Sequence, residues 1–264
     1  MTKQRIQSYD VYRGLLLAGM VIFHIIVNLT SLQFDQRFFY WIPMGFVIFL
    51  GVILGRFLQN KTNKKLVLAL KILACFLILN IPNYFKSGFN FFELIKGNQI
   101  IFSFEILLPM ALIIFLSIPF DRIIKSSENE APGKPSQTGV IAAFTTFIAI
   151  AALNLSGFYS YNLAFLLYGL VGYFLALKLD LHTLAADQKN KQSLLALLIC
   201  VIPFIILAAG GFFDFLFIPQ IFAVYYLIVR FLPREKILSF LGRNSFYIYI
   251  GHIFIIKAVT LLIK

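Results

Sequence analysis

Charged residues are scarce in this chain: they make up 13% of its 264 residues, against about 25% in water-soluble domains. Hydrophobic residues make up 60%, and several apolar runs reach the ~20 residues needed to cross about 30 Å of hydrocarbon. No segment between these runs is long enough to form a water-soluble domain. The sequence therefore predicts an all-α, polytopic transmembrane helix bundle that forms a single domain over residues 1–264.

Cysteines and sequence motifs for catalysis are also few. The two cysteines, Cys75 and Cys200, both lie inside apolar runs, which excludes a disulfide framework and a cysteine metal site. The chain has no P-loop, no dinucleotide-binding glycine motif, no HExxH and no nucleophile elbow. The first apolar run contains Arg13 and His24 and no small-residue cleavage site follows it, so we do not expect a cleaved signal peptide.

Apolar runs and the polar breaks between them predict about nine spanning helices. Only Gly210 and Gly211 with their neighbours separate the seventh from the eighth, so a re-entrant pair stays open there. The predicted spans are 11–31, 38–58, 65–83, 100–119, 139–156, 161–178, 193–209, 212–231 and 244–263.

The basic residues are distributed unevenly between the two sides of these spans. With a cytoplasmic N-terminus, 17 of the 23 basic residues fall in inner segments or at inner helix ends, and four fall outside. Cytoplasmic loops are enriched in Lys and Arg, so we expect this topology with an odd number of spans. The net charge of +12 then reflects topology and not nucleic-acid binding. The stretch 121–139, rich in Ser, Pro, Glu and Lys, is expected to be a cytoplasmic linker.

His24 is the most informative ionisable residue within the spans. It follows Arg13 by eleven positions, about 16 Å of helix, so it lies near or past the bilayer midplane. An ionisable group at that depth is costly and indicates a functional site, although polar packing between helices is an alternative. Glu105 enters the fourth span to a similar depth. We hypothesise that its carboxylate orients the imidazole as a general base; a purely structural hydrogen bond is the alternative.

Three other features of the spans have both structural and functional interpretations. Lys71, about two turns in from the cytoplasm, is expected to be paired or to extend toward the interface. His252, two turns into the last span, and Asn244 form a possible second polar site. Gly51 and Gly55 have a spacing that permits close helix packing.

Both ends of the chain resemble the transmembrane acyltransferases. The first span combines the spacing of Arg and His found in the acyltransferase-3 family with the Ser-x-Asp-x-x-Arg-Gly opening of the heparan-α-glucosaminide N-acetyltransferase-like membrane family. The last span is similar to the Leu-Gly-x-x-Ser-x-x-x-Tyr-x-x-His ending of the second family. The matching residues are Arg5, Ser8, Asp10, Arg13, Gly14, Met20 and His24 at the start, and Leu241, Gly242, Ser245, Tyr249 and His252 at the end.

The resemblance covers about the first 58 and the last 25 residues, and it departs from the family in one respect. The active histidine of the lysosomal enzyme is attributed to a luminal segment after the first helix, and this chain has no histidine there. By resemblance to the acyltransferase-3 pattern, the catalytic role falls on His24.

The resemblance implies a specific reaction. An acyl group, usually acetyl, would pass from cytosolic acyl-CoA to a hydroxyl or amine of an extracytoplasmic glycan or lipid-linked sugar, with acyl-CoA as co-substrate and no metal. His24, with Glu105, would act as base, and Arg13, Asp10, Ser8 and Lys71 would form the donor site. Asp10 would orient Arg13, and Ser8 would cap the first helix.

Two other functions stay open from the sequence. A proton-coupled transporter or flippase of a small anion or lipid would use buried His and Glu as a proton relay, and a structural membrane subunit would need neither. The expected location is a prokaryotic inner membrane. The expected partners are membrane lipids and a glycan or lipid-linked acceptor, and a homo-oligomer stays open.

Overall fold

In a computed structural model, the regular secondary structure of the described residues is helical. The structure describes residues 6–30, 39–81, 106–128, 145, 161–178, 191–208, 217–232 and 234–263. No strand occurs within these ranges, which confirms the all-α class for this part of the chain. The helices are α1 Gln7–Leu29, α2 Trp41–Arg56, α3 Thr62–Leu79, α4 Leu107–Glu128, α5 Tyr161–Lys178, α6 Lys191–Ala208, α7 Phe217–Phe231, α8 Lys236–Arg243 and α9 Ser245–Ile263.

Eight of the nine predicted spans coincide with one of these helices. The other, 139–156, lies outside the described residues except for Thr145, and so does the Gly210–Gly211 break. The short helix α8 was not predicted, and α4 continues through Glu128 into the first part of the predicted linker.

The predicted capping role of Ser8 is wrong. The residue before α1 is Ile6, whose side chain makes no capping hydrogen bond, and Ser8 lies inside the helix. Its hydroxyl is buried and lies 3.2 Å from the hydroxyl of Tyr225. Ser8 therefore joins α1 to α7 and does not terminate α1.

One helix within the described residues is long and apolar enough to cross a membrane. It is the part of α1 from Gln7 to Val27, by length and composition alone. Four shorter apolar helices accompany it: Trp41–Arg56, Ala164–Leu177, Phe217–Phe231 and Ser245–Ile256.

The chain divides into two compact units, and the boundary falls inside α2. The first unit contains Met1–Phe46 and Asp180–Lys264, and the second contains Val47–Leu179. In the first unit α1 packs against α7, α8 and α9, while α6 packs against α7. In the second unit α4 packs against α3 and α5.

A close backbone contact in the first unit joins α1 and α8 at two glycines. A Cβ atom at Gly14 would overlap the carbonyl group of Leu238, and one at Gly242 would overlap the carbonyl group of Asp10. Because a hydrogen replaces the side chain at both positions, the two backbones touch directly. Beside this contact Tyr225 of α7 stacks on Tyr9, with ring centroids 5.2 Å apart, and meets Tyr12 edge to face.

The second unit contains the expected glycine packing of α2. A Cβ at Gly51 would overlap the carbonyl oxygen of Gly169 in α5, and one at Gly55 would lie 2.6 Å from the carbonyl oxygen of Tyr173. The spacing of these two glycines thus serves close packing of α2 on α5, as predicted.

A buried ion pair connects three helices and a turn of the second unit. Lys65 of α3 and Asp121 of α4 are both buried, and their charged atoms are 2.8 Å apart. The Asp121 oxygen that contacts Lys65 also accepts a hydrogen bond from the backbone N–H of Asn60. The other oxygen accepts a hydrogen bond of 2.6 Å from the Tyr173 hydroxyl. These contacts compensate the buried carboxylate charge and connect α3, α4 and α5, so we interpret the cluster as structural.

We expect removal of the lysine charge to destabilise this unit strongly. In Lys65→Met the aspartate stays buried without its cation, which costs about 3–5 kcal/mol of unfolding free energy in comparable cases. Lys61→Met, at an exposed position four residues away, is the matched control and should change stability by no more than about 0.5 kcal/mol. Thermal unfolding in detergent micelles measures both, and equal stability of the two variants would contradict the role given to the pair.

The glycine contact between α1 and α8 provides a second test of the fold. Gly242→Ala places a methyl group against the Asp10 carbonyl, so α8 must move away from α1 and the unit should unfold at a clearly lower temperature. Gly251→Ala is the control, because a Cβ at Gly251 meets no atom within 4 Å and alanine has the higher helix propensity. A Gly242→Ala protein as stable as Gly251→Ala would show that the two backbones do not touch.

Candidate functional site

Two histidines from different helices lie side by side in the first unit. The ring centroids of His24 in α1 and His252 in α9 are 5.4 Å apart, and the ring planes are inclined by 41°. His252 is buried, and His24 is partly exposed. The structure therefore brings the predicted catalytic histidine into contact with the histidine of the predicted second polar site.

A contact closer to the start of both helices aligns α1 with α9. The guanidinium of Arg13 donates a hydrogen bond to the hydroxyl of Ser245, the first residue of α9. From this contact His24 is eleven residues further along α1, and His252 is seven residues further along α9. The helices therefore run in the same direction. At 1.5 Å per residue the two histidines lie about 10–16 Å above the Arg13 contact.

The backbone of α9 determines which nitrogen of His252 is available. Its Nδ1 lies 3.0 Å from the carbonyl oxygen of Ile248. Since a carbonyl oxygen only accepts, Nδ1 carries the proton in the neutral ring and Nε2 carries the lone pair. Nε2 is buried and has no hydrogen-bond partner among the residues that the structure describes. His252 thus offers a buried, unprotonated nitrogen that can accept a proton.

The predicted donor-site residues at the start of α1 are held by contacts with α7, α8 and α9. Asp10, which was expected to orient Arg13, is buried and forms an ion pair with Arg243, with 3.6 Å between the carboxylate oxygen and the guanidinium nitrogen. Arg13 reaches Ser245, and Ser8 reaches Tyr225. These residues therefore lie at one level of the helix group, and Arg13 brings a cation to that level.

Three predicted site residues remain: Glu105, Lys71 and Asn244. Glu105 is outside the described residues, so its pairing with His24 stays a prediction. Lys71 lies on α3 in the second unit, where its side chain is exposed. Asn244 terminates α8, and its side-chain amide donates a 3.0 Å hydrogen bond to the carbonyl oxygen of Phe240, so its amide group serves as a helix cap.

Sequence reasoning missed the meeting of the two histidines for an identifiable reason. It treated 244–263 as a separate last span and did not predict α8, whose contact with Gly14 places Ser245 beside Arg13. The Leu241–Gly242–x–x–Ser245 segment carried the signal, because its glycine and serine are the residues that touch α1. The partners Tyr225 and Arg243 had no such signal in the sequence.

The site combines a proton acceptor with a fixed cation at a different depth. A pair of imidazoles can take a proton from an attacking hydroxyl or amine and later return it to a leaving group. Arg13, about 16 Å along α1 from His24, presents a guanidinium suited to phosphate or carboxylate. Among the described residues no group of three or more His, Cys, Asp and Glu side chains is arranged to hold a metal ion.

Comparisons with protein-family models, with curated proteins and with solved structures gave no match to this chain.

Proposed function

We propose that this chain is a multi-pass integral membrane acyltransferase that transfers an acetyl or other acyl group from cytosolic acyl-CoA to a hydroxyl or amine of an extracytoplasmic glycan or lipid-linked sugar. The observation that carries the proposal is the contact of His24 with His252 inside a helix group aligned by Arg13 and Ser245. The resemblance of both chain ends to the transmembrane acyltransferases supports it, because both ends contribute to this one group.

The distribution of polar and apolar side chains supports multiple membrane passes. Ionic and polar groups such as Asp10, Lys65, Asp121 and His252 are buried. Large apolar residues are exposed along several helices, for example Ile78 in α3, Ile205 in α6 and Ile255 in α9, each more than 60% exposed. A water-soluble protein rarely exposes this much apolar surface, whereas a helix bundle in lipid does so and keeps its polar groups inside.

The position of Arg13 near the start of α1 suits a binding site for the acyl donor. By the positive-inside rule the start of α1 faces the cytoplasm, which is where acyl-CoA is available. Arg13 donates a hydrogen bond to the Ser245 hydroxyl, and a guanidinium at this position is suited to bind a phosphate of the donor as well. The acyl-pantetheine arm would extend from this level toward the histidines.

In the proposed transfer, His24 acts as a general base on the acceptor. It removes the proton from the acceptor hydroxyl or amine as that oxygen or nitrogen attacks the thioester carbonyl carbon. The new C–O or C–N bond forms, the C–S bond breaks, and the CoA thiolate takes the proton from the imidazolium. A positioned base of this kind accelerates a reaction by about 10²–10⁴-fold.

His252 assists His24 in this scheme by accepting or sharing the proton. Its Nδ1–H donates to the Ile248 carbonyl, so the buried Nε2 keeps its lone pair and can accept a proton. A cation on one imidazole also disfavours a second cation on its neighbour. The pair therefore takes up one additional proton at a time, so one imidazole stays neutral and basic while the other is charged.

The same pair also favours a second function, proton-coupled transport of a small anion or lipid. Adjacent buried ionisable groups form the steps of proton relays in membrane transporters. Proton-dependent flux into liposomes in the absence of any acyl donor would support this alternative. Acyl-CoA turnover would not be expected from such a protein.

We expect both histidines to be required for acyl transfer. In His24→Ala the base is lost, and free thiol release from acetyl-CoA by purified protein in liposomes should fall by about 10²–10⁴-fold. In His252→Ala the fall should be smaller, because the base itself remains. Binding of acetyl-CoA, measured in the same samples, should persist in both variants.

Two outcomes would contradict this assignment. Retained turnover in His24→Ala, with the protein correctly inserted, would remove His24 as the base. Wild-type protein that neither binds nor cleaves acetyl-CoA, with a candidate acceptor such as a membrane glycolipid present, would favour the transporter.

We expect Arg13 to act through its charge and not only through its hydrogen bond to α9. Arg13→Ala removes both, whereas Ser245→Ala removes the hydrogen bond and keeps the cation. The dissociation constant for acetyl-CoA should therefore rise by at least tenfold in Arg13→Ala, as expected for a lost charge-assisted hydrogen bond of about 1.5–3 kcal/mol, and much less in Ser245→Ala. Equal weakening in the two variants would restrict Arg13 to a structural role.

A further inference from the structure

We propose that the outer surface of α8, with the turn before it, is a binding site for anionic phospholipid of the cytoplasmic leaflet. This proposal rests on insertion of α1 in a membrane but not on acyl transfer. The residues that form the site are Arg234, Lys236, Ile237 and Phe240, which we call the α8 lipid site.

The two sides of α8 differ sharply in their surroundings. Ser239 and Gly242 are buried against α1. Ile237 and Phe240 are 71% and 62% exposed, and they lie three residues apart, on one side of the helix. A water-soluble surface would not favour two large apolar side chains at these positions, so this side of α8 needs an apolar environment.

The depth of α8 follows from its contact with α1. Gly242 touches Asp10, and Leu238 touches Gly14, which are three and seven residues into the candidate span that begins at Gln7. These positions correspond to about 5–10 Å from the start of the span. Apolar faces of interfacial helices are buried to a similar depth, between the headgroups and the acyl chains.

The charges around this apolar surface select the headgroup. Arg234 and Lys236 are exposed, and Lys236 lies one turn from Phe240 on the same side of α8. Glu235, between them, directs its carboxylate to the backbone N–H of Leu238, so it is occupied in capping the helix. Two cations beside exposed Ile and Phe match an anionic headgroup with its acyl chains, whereas a soluble phosphate would leave the apolar side chains in water.

The site has a direct connection to the candidate active site. The inner side of α8 contacts the start of α1, and the same helix ends at Arg243, which is paired with Asp10. Arg13 lies between Asp10 and Gly14 in sequence and bonds to the first residue after the α8 cap. A lipid that stabilises α8 against α1 therefore also stabilises the level of the bundle at which Arg13 is held.

Lipid binding can be measured on the whole protein, one copy per nanodisc. Phosphatidylglycerol is titrated into phosphatidylcholine nanodiscs, and protein-bound lipid is counted by native mass spectrometry. The Arg234→Gln/Lys236→Gln double variant should bind phosphatidylglycerol roughly 30-fold more weakly, from the ~1 kcal/mol expected for each basic residue at an anionic surface. The control is Lys61→Gln/Lys64→Gln, which removes two exposed charges at the start of α3, keeps the α8 lipid site intact and should therefore weaken binding much less. Excess free CoA and inorganic phosphate should not displace the lipid.

The position of Phe240 provides a second, independent measurement. A nitroxide at Phe240→Cys, in a Cys75→Ser/Cys200→Ser background, should be accessible to oxygen and protected from a water-soluble nickel reagent. A nitroxide at Lys61→Cys should show the reverse. The proposal is overturned if the two double variants lose lipid equally, if phosphate displaces the lipid, or if the probe at residue 240 behaves as one in water.

Discussion

The backbone contact between α1 and α8 is the constraint on which the first unit depends. Gly14 and Gly242 allow the two helices to touch without side chains between them. This contact brings Ser245 beside Arg13, and because α1 and α9 then run in the same direction, His252 reaches His24. A single bulky side chain at either glycine would separate α8 from α1 and shift α9 along α1. The histidine contact would then be lost without any change in the histidines themselves.

Buried polar groups in the two units differ in how completely they are hydrogen-bonded. In the second unit the carboxylate of Asp121 contacts the Lys65 ammonium, the Tyr173 hydroxyl and the Asn60 backbone N–H, so its charge is compensated within the protein. In the first unit His252 uses one nitrogen for the helix backbone and keeps the other buried without a partner among the described residues. A buried nitrogen without a partner is unfavourable for stability. The proposed role of this nitrogen as a proton acceptor would account for the arrangement.

The sequence predicted the helices well and the contacts between them poorly. Long apolar runs define helices through composition alone, and α5 has the bounds predicted for it, 161–178. The glycine spacing at Gly51 and Gly55 also indicated close packing correctly, because it depends on side-chain size only. The meeting of His24 with His252 depends on the register between α1 and α9, which is set by the eight-residue helix α8. Such a short amphipathic helix lacks the apolar length that identifies a span, so it was not predicted, and the Leu241–Gly242–x–x–Ser245 segment was not recognised as its contact with α1.

The position of Arg13 discriminates between acyl transfer and proton transport more sharply than the histidines do. Two adjacent imidazoles suit either function, since both require a group that accepts and releases a proton. A proton relay is more effective when no fixed cation lies along its path, because a positive charge opposes the arrival of a proton. In the proposed topology Arg13, which donates a hydrogen bond to Ser245, lies near the cytoplasmic start of this helix pair, where a guanidinium suits a phosphate and not a proton. For this reason we propose a phosphorylated donor that approaches from the cytoplasm, with the histidines at the far end of its acyl arm, in preference to proton transport.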